Sequence, residues 1–173
     1  MEKEPIRIKS LVQHKKDLNL HYVLLTLETM AALTCEFKRG KYNQRVWVEV
    51  NQKVKWQGGI VALGDGEGYI TLSAARMKTL DVHFGEEVDV SLLPDDTEYG
   101  MEMAVEFKAV LDNDSEAFER FLKLKKGMQR YLLYYTIQVK SSEKRLERAL
   151  LMLNNLKKIP EGKEDFRTIL GKD

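Results

Sequence analysis

LGDGEGYITLSAARMKTL, residues Leu63–Leu80, is the stretch on which the reading of this chain turns. Its three glycines, Gly64, Gly66 and Gly68, would cradle a phosphate if they opened a helix and would turn a hairpin if they joined two strands. The flanking runs GGIVAL and YITL are rich in β-formers. Asp65-Gly66 between them predicts a type I′ turn, which needs positive φ at both central residues. No Gly-Lys-Ser/Thr closes the loop, and a strand, not a helix, follows the third glycine, so neither a Walker loop nor a dinucleotide fingerprint fits. Beyond that strand, Ser73 predicts an N-cap for the short helix AARMKTL. Gly85 then turns the chain into an alternating strand with Val88, Val90 and Leu92 on one face and Glu87, Asp89 and Ser91 on the other.

The same unit occurs earlier. YVLLTLETMAAL, residues Tyr22–Leu33, lies over YITLSAARMKTL with Tyr22/Tyr69, Leu25/Leu72, Met30/Met77 and Leu33/Leu80 identical and Val23/Ile70 and Thr26/Ser73 conservatively replaced. After a longer connection containing Gly40, RVWVEV stands where EVDVSL stands in the second copy, and the strand candidates IRIKSLVQ and VKWQGGIVAL precede the two copies. The pattern is that of an internal duplication. A half that cannot bury its own apolar face closes with its twin, which predicts a small β-barrel over residues 1–93 completed within one chain, and hence a monomer.

The remainder changes character. LLPDDTEYG has the composition of a boundary, giving a linker over residues 94–101. Residues 102–158 read as helices, with Phe118, Phe121 and Leu122 on one, Met128, Leu132, Tyr135 and Val139 on the next, and Leu146, Ala149, Leu150, Leu153 and Leu156 as the core face of the last. Asp114 or Ser115, and Ser141 or Ser142, are the expected caps. Residues 159–173 read as a loosely held tail. The fold class is therefore α+β: an N-terminal β-barrel, double-split and internally duplicated, followed by an all-helical region.

Composition narrows the function. With 43% hydrophobic and 32% charged residues the chain is an ordinary globular one, and apolar runs such as YVLLTL and RYLLYY are far too short to span a bilayer, so no membrane insertion is expected. MEKEPIRIK lacks a secretory apolar region, and the single cysteine, Cys35, excludes an internal disulfide; the expected location is the cytoplasm. Twelve acidic residues against one lysine fill Glu86–Glu119, whereas ten basic residues against two glutamates fill Lys123–Lys158. These opposite fields face each other, or simply solvate two helical surfaces, or leave the basic one for an anionic partner.

Catalytic patterns are thin. His14, His21 and His83 have no metal-ligand spacing, Cys35 beside Phe37 reads as a small buried hydrophobe, and Asp95, Asp96 and Glu98 lack the glycine and terminal glutamate of a calcium loop. No Gly-x-Ser-x-Gly elbow occurs. The expectation is no catalysis, no metal and no cofactor. The best candidate site is the basic, aromatic helical hairpin: Lys140, Arg145, Arg148 and Arg130 as an anion-facing group, with Tyr134 and Tyr135 as stacking surfaces. The other reading of the same residues is packing, with Tyr131, Tyr134 and Tyr135 holding the hairpin down and the arginines paired to acids.

The run YYTIQVKSSEKRLERALLMLNNLKK resembles the C-terminal helical motif of the bacterial YdeI/OmpD-associated, or bacteriocin-protection, family, with Tyr135, Lys140, Glu143, Arg145 and Arg148 on its positions and Thr136, Val139 and Lys144 departing from it. The N-terminal part is similar to the domain of unknown function often fused to that motif, a double-split barrel like the AbrB-type barrels of bacterial regulators and antitoxins. The resemblance implies the fold and no biochemical activity. AbrB-type barrels bind DNA through basic residues; here Lys38, Arg39, Lys41 and Arg45 cluster in the first half, but Glu86, Glu87 and Asp89 in the second oppose that use. Two classes of function stay open: a non-catalytic module that recognises an anionic ligand or acidic protein, and a protein-interaction or envelope-stress-tolerance protein with no such site.

Overall fold

The structure, a computed structural model, describes residues 3–37, 42 and 44–172. The chain divides into two compact units, Met1–Asp96 and Thr97–Asp173.

The first unit is a curled antiparallel sheet of seven strands: β1 (Ile6–Lys15), β2 (Leu20–Leu25), β3 (Arg45–Val50), β4 (Val54–Gly59), β5 (Val61–Gly64), β6 (Glu67–Leu72) and β7 (Glu87–Pro94), in the order β4-β3-β7-β1-β2-β6-β5. Helix α1 (Leu27–Phe37) follows β2 and α2 (Ala74–Leu80) follows β6. Alternation sets the inner face. On β7 Val88, Val90 and Leu92 are buried while Glu87 and Asp89 are exposed, and β3 buries Val46, Val48 and Val50 in the same way. Strand β1 bends to serve both halves of the sheet, pairing through Ile6–Leu11 with β7 and through Val12–Lys15 with β2.

The duplication is written into the hydrogen bonds. Val23 and Ile70, aligned in the two copies, face each other directly in the β2–β6 ladder, and the rings of the aligned Tyr22 and Tyr69 touch with centroids 5.1 Å apart. The Val12 amide donates to the Glu86 carbonyl (2.8 Å), as the Ile60 amide does to the Gln44 carbonyl (3.2 Å). Each helix is capped alike: the Thr29 amide donates to Thr26 Oγ1 and the Arg76 amide to Ser73 Oγ, both at 3.3 Å. Leu25, Met30 and Leu33 from one copy and Leu72 and Leu80 from the other share one core, with Met77 packed against it. The copies differ in their first strand, which is continuous as β1 but interrupted at Ile60 between β4 and β5. There Gly58 lies flush with its neighbours: a Cβ would stand 3.3 Å from Val48 Cγ2 and 3.5 Å from Ile70 Cγ2. That closeness brings β4 near β6 and curls the sheet.

Asp65 (φ 49°) and Gly66 (φ 85°) form the two-residue turn between β5 and β6, with Gly64 and Glu67 paired behind it. Glycine therefore supplies geometry here. Gly66→Val is expected to cost about 1–2 kcal/mol, because a β-branched side chain is strained at positive φ. Urea titration followed by the fluorescence of Trp47 and Trp56 would read it; unchanged stability together with a lost nucleotide affinity would restore the phosphate-loop reading.

The second unit is helical: α3 (Val105–Asn113), α4 (Ser115–Lys123), α5 (Lys126–Ile137), α6 (Ser142–Lys158) and α7 (Phe166–Ile169). Its core is built on Phe107, Phe121, Leu132, Leu133, Met152, Leu153 and Leu156. Asp114 caps α4 and Ser141 caps α6. Two expected core stripes are displaced. On α6 Leu146 and Leu150 are 40% and 43% exposed, and Met152 is buried in their stead; on α5 the buried residues are Gln129, Leu132, Leu133 and Thr136, with Tyr135 at the margin. On α4 only Phe121 of the expected apolar set is buried. Cys35, expected to be buried, is exposed on α1, because the inward stripe of that helix is Met30 and Leu33.

The segment expected to be a loose tail is held. Arg120, 11% exposed, donates from Nη2 to the Ile159 carbonyl (2.6 Å) and to Glu164 Oε1 (3.1 Å). Asn155 donates to the Ile169 carbonyl, and Ile169 and Leu170 enter the core. Asp165 caps α7 through the Thr168 amide.

Candidate functional site

The candidate hairpin is α5, its connection and α6. Helix α5 ends at Ile137 with its last carbonyls free of intrahelical partners, a partial negative charge that attracts cations. Arg145 and Arg148 answer it from the next helix. Arg145 donates from Nε to the Val139 carbonyl (2.8 Å), and Arg148 donates from Nη1 to the Tyr135 carbonyl (2.6 Å) while its guanidinium lies 4.0 Å from the Tyr135 ring centroid. Glu106 on α3 faces the same end: a hydrogen bond from the Ser142 hydroxyl holds its carboxyl below the ordinary range, helped by its own backbone amide and by Arg145.

The remaining candidates lie apart from that contact. Arg130 is half-buried on α5, two turns before its end, and Lys140 is exposed in the connection, past the end of the helix. Tyr135 packs against the core, stacked on Tyr131 at 6.4 Å and with Lys172 Nζ 5.6 Å from its ring; Tyr131 in turn touches Phe166 at 4.3 Å. Tyr134 is the open one, 46% exposed. So the structure turns Arg145, Arg148 and Tyr135 to packing, whereas Lys140 and Tyr134 stay exposed and Arg130 half-buried outside that contact. The basic helical charges do not pair with the acidic segment as a block; among the described residues the ion pair between the two stretches is that of Lys157, whose ammonium bonds the Asp114 carboxylate and holds it below its ordinary range.

These arrangements explain the motif residues, and the motif is matched. The family described as bacteriocin-protection, YdeI or OmpD-associated covers residues 101–158, and a domain of unknown function (DUF1905) covers residues 10–92. The chain is similar to the YdeI/OmpD-associated family over its helical part and to that second domain over its N-terminal part. No curated protein shows significant similarity to it. The YdeI/OmpD-associated stretch is thus the helical unit, and the two arginines of its motif are the ones that close α5.

Arg148→Ala in this YdeI/OmpD-associated unit is expected to lower stability by about 1–3 kcal/mol, since a carbonyl at the end of α5 loses its charged donor. Chemical denaturation followed by circular dichroism at 222 nm checks it. A loss within experimental error would return Arg148 to the anion-facing group.

In the first unit the sequence-picked basic cluster is represented by Arg45; Lys38, Arg39 and Lys41 lie outside the described residues. Arg45 lines a shallow cavity of about 360 Å³ with Trp56, Gln57, Thr71 and Arg76, whose guanidinium stacks 4.4 Å from the Trp56 ring. Gln57 Nε2 donates to Asp95 Oδ2 (3.1 Å), which ties that expected linker residue to β4. Among the described residues no three His, Cys, Asp or Glu side chains converge as a metal site, and no helix is long and apolar enough to cross a membrane.

Proposed function

We propose that the chain is a non-catalytic, monomeric binding module of the cytoplasm whose helical unit engages a protein partner. The observation that carries this is the set of large apolar side chains left exposed beside a filled core: Phe118 and Leu122 on one turn pair of α4, and Leu146 and Leu150 on one turn pair of α6, each 40–46% exposed. The matched family is itself described as OmpD-associated, a name for an association. The non-catalytic part is supported by the lowered carboxyl groups, which have structural partners: Asp114 with Lys157, Glu161 with Lys123, and Asp165 as a cap. The first unit, on this reading, is a duplicated barrel of the AbrB-like, double-split kind whose halves complete each other.

The test is Leu146→Lys with Leu150→Lys. Exposed substitutions of this kind leave stability within about 0.5 kcal/mol, so folding is a separate readout from binding. Expected is loss of a partner that co-purifies stoichiometrically with the unaltered chain and crosslinks to α6; retention of that partner at full yield would overturn the reading. A second reading, an anionic ligand, is favoured by Arg130 and Lys140, which make no ion pair among the described residues. Titration with single- and double-stranded nucleic acid at several salt concentrations decides it: the slope of log affinity against log salt should fall by about one per cation removed in Arg130→Ala and Lys140→Ala.

A further inference from the structure

Two histidines seven residues apart in sequence become neighbours in the β1–β2 hairpin. His14 and His21 are directly opposed in its ladder, with ring centroids 4.6 Å apart and ring planes inclined by 36°. The hairpin closes through a short 3₁₀ turn, Lys16–Leu18, and Asn19, which stands in the left-handed region (φ 45°, ψ 46°) with its amide bonded to the Lys16 carbonyl at 3.1 Å. That conformation brings the Asn19 side-chain oxygen to 3.3 Å from Nε2 of His14. Asparagine tolerates the left-handed region better than most residues. Both imidazoles are only half-buried, so solvent and solutes reach them.

We infer that His14, His21 and Asn19 form a binding site for a late first-row divalent cation such as Zn²⁺, Ni²⁺ or Cu²⁺. The chemistry rests on donor type and spacing. Imidazole nitrogen is the preferred protein donor for these ions, and two nitrogens each about 2.0–2.1 Å from a shared tetrahedral ion stand roughly 3.4 Å apart. Rings already in contact reach that spacing by side-chain rotation, with no change in the ladder that holds their backbones. The Asn19 oxygen beside His14 Nε2 supplies a third, weaker donor, and water completes the shell. With two strong donors in place of four, the site is an exchangeable one on the surface and not a structural zinc centre. The antiparallel register orders both histidines before the metal arrives, so binding does not wait on folding of the site.

The test uses the full chain without an affinity tag, stripped of metal by chelator and titrated with zinc chloride at pH 7.5 by calorimetry. Expected is one saturable site per chain, lost in His14→Gln and in His21→Gln and retained in His83→Gln. Asn19→Gly keeps the left-handed turn and removes the oxygen, and should weaken zinc about tenfold, as loss of a supporting group at a metal site does. Thermal melts without metal establish that the variants fold. Zinc should raise the melting midpoint of the unaltered chain and of His83→Gln, but not of the other two histidine variants. Should a histidine variant fail to fold, imidazole proton resonances of the unaltered chain give an independent measure: substoichiometric Cu²⁺ should broaden those of His14 and His21 before those of His83. Zinc binding undiminished in both His14→Gln and His21→Gln, equal broadening of all three histidines, or no saturation at millimolar zinc would each overturn the site.

Discussion

Leu25→Ala and Leu72→Ala are expected to destabilise the first unit by about 2–5 kcal/mol each, and by amounts that agree to within about 1 kcal/mol. Both side chains are removed from solvent, at 0% and 1% exposure, and both belong to the same core. They also occupy matched places, each ending the strand before a capped helix: Leu25 before Thr26 and α1, Leu72 before Ser73 and α2. The cost of a large-to-small change depends on how far the surroundings collapse into the cavity, so similar losses mean similar surroundings. Urea denaturation followed by the fluorescence of Trp47 and Trp56, both in the first unit, gives the two values. A large loss at one site with a negligible one at the other would mean that the copies share a sequence pattern and not a mechanical role.

Arg120→Ala is expected to cost the helical unit about 3 kcal/mol, the range for removing one member of a largely enclosed, hydrogen-bonded ion pair. Its guanidinium reaches the Ile159 carbonyl and Glu164 from α4, and both partners are left without it. Glu164 is 14% exposed, so water screens the orphaned carboxylate only in part. The exposed Lys123–Glu161 pair beside it cannot take over the load, since contacts of that kind contribute at most about 1 kcal/mol. Proteolysis should then cut first between residues 159 and 172, because the segment loses its anchor at one end. Denaturation followed at 222 nm, with mass spectrometry of early proteolytic fragments, checks both parts; a stable variant with an uncut C-terminus would show that Ile169 and Leu170 alone hold the segment.

Sequence by itself determined what depends on local conformation and on period. Asp65-Gly66 fixes its turn because few residues tolerate positive φ, Asp114 and Ser141 mark helix starts because the first amides need an acceptor, and the alternation along Glu87–Leu92 sorts inner from outer residues whatever the partner strand. The duplication was legible for the same reason: each copy repeats the local rules of its twin.

What the sequence left undecided depends on where other elements lie. Leu146 and Leu150 are as apolar as Met152 and Leu153, and only the positions of α3, α4 and α5 around α6 choose between two adjacent stripes. Arg148 reads either as an anion-facing cation or as the partner of an acid until the end of α5 is placed beneath it, where its donor goes to the Tyr135 carbonyl instead. Residues 159–172 read as a tail because the anchor that holds them, Arg120, lies some forty residues earlier. His14 and His21 carry no metal spacing along the chain, yet the register of one hairpin sets them face to face, since in an antiparallel ladder neighbours are decided by pairing and not by separation in sequence.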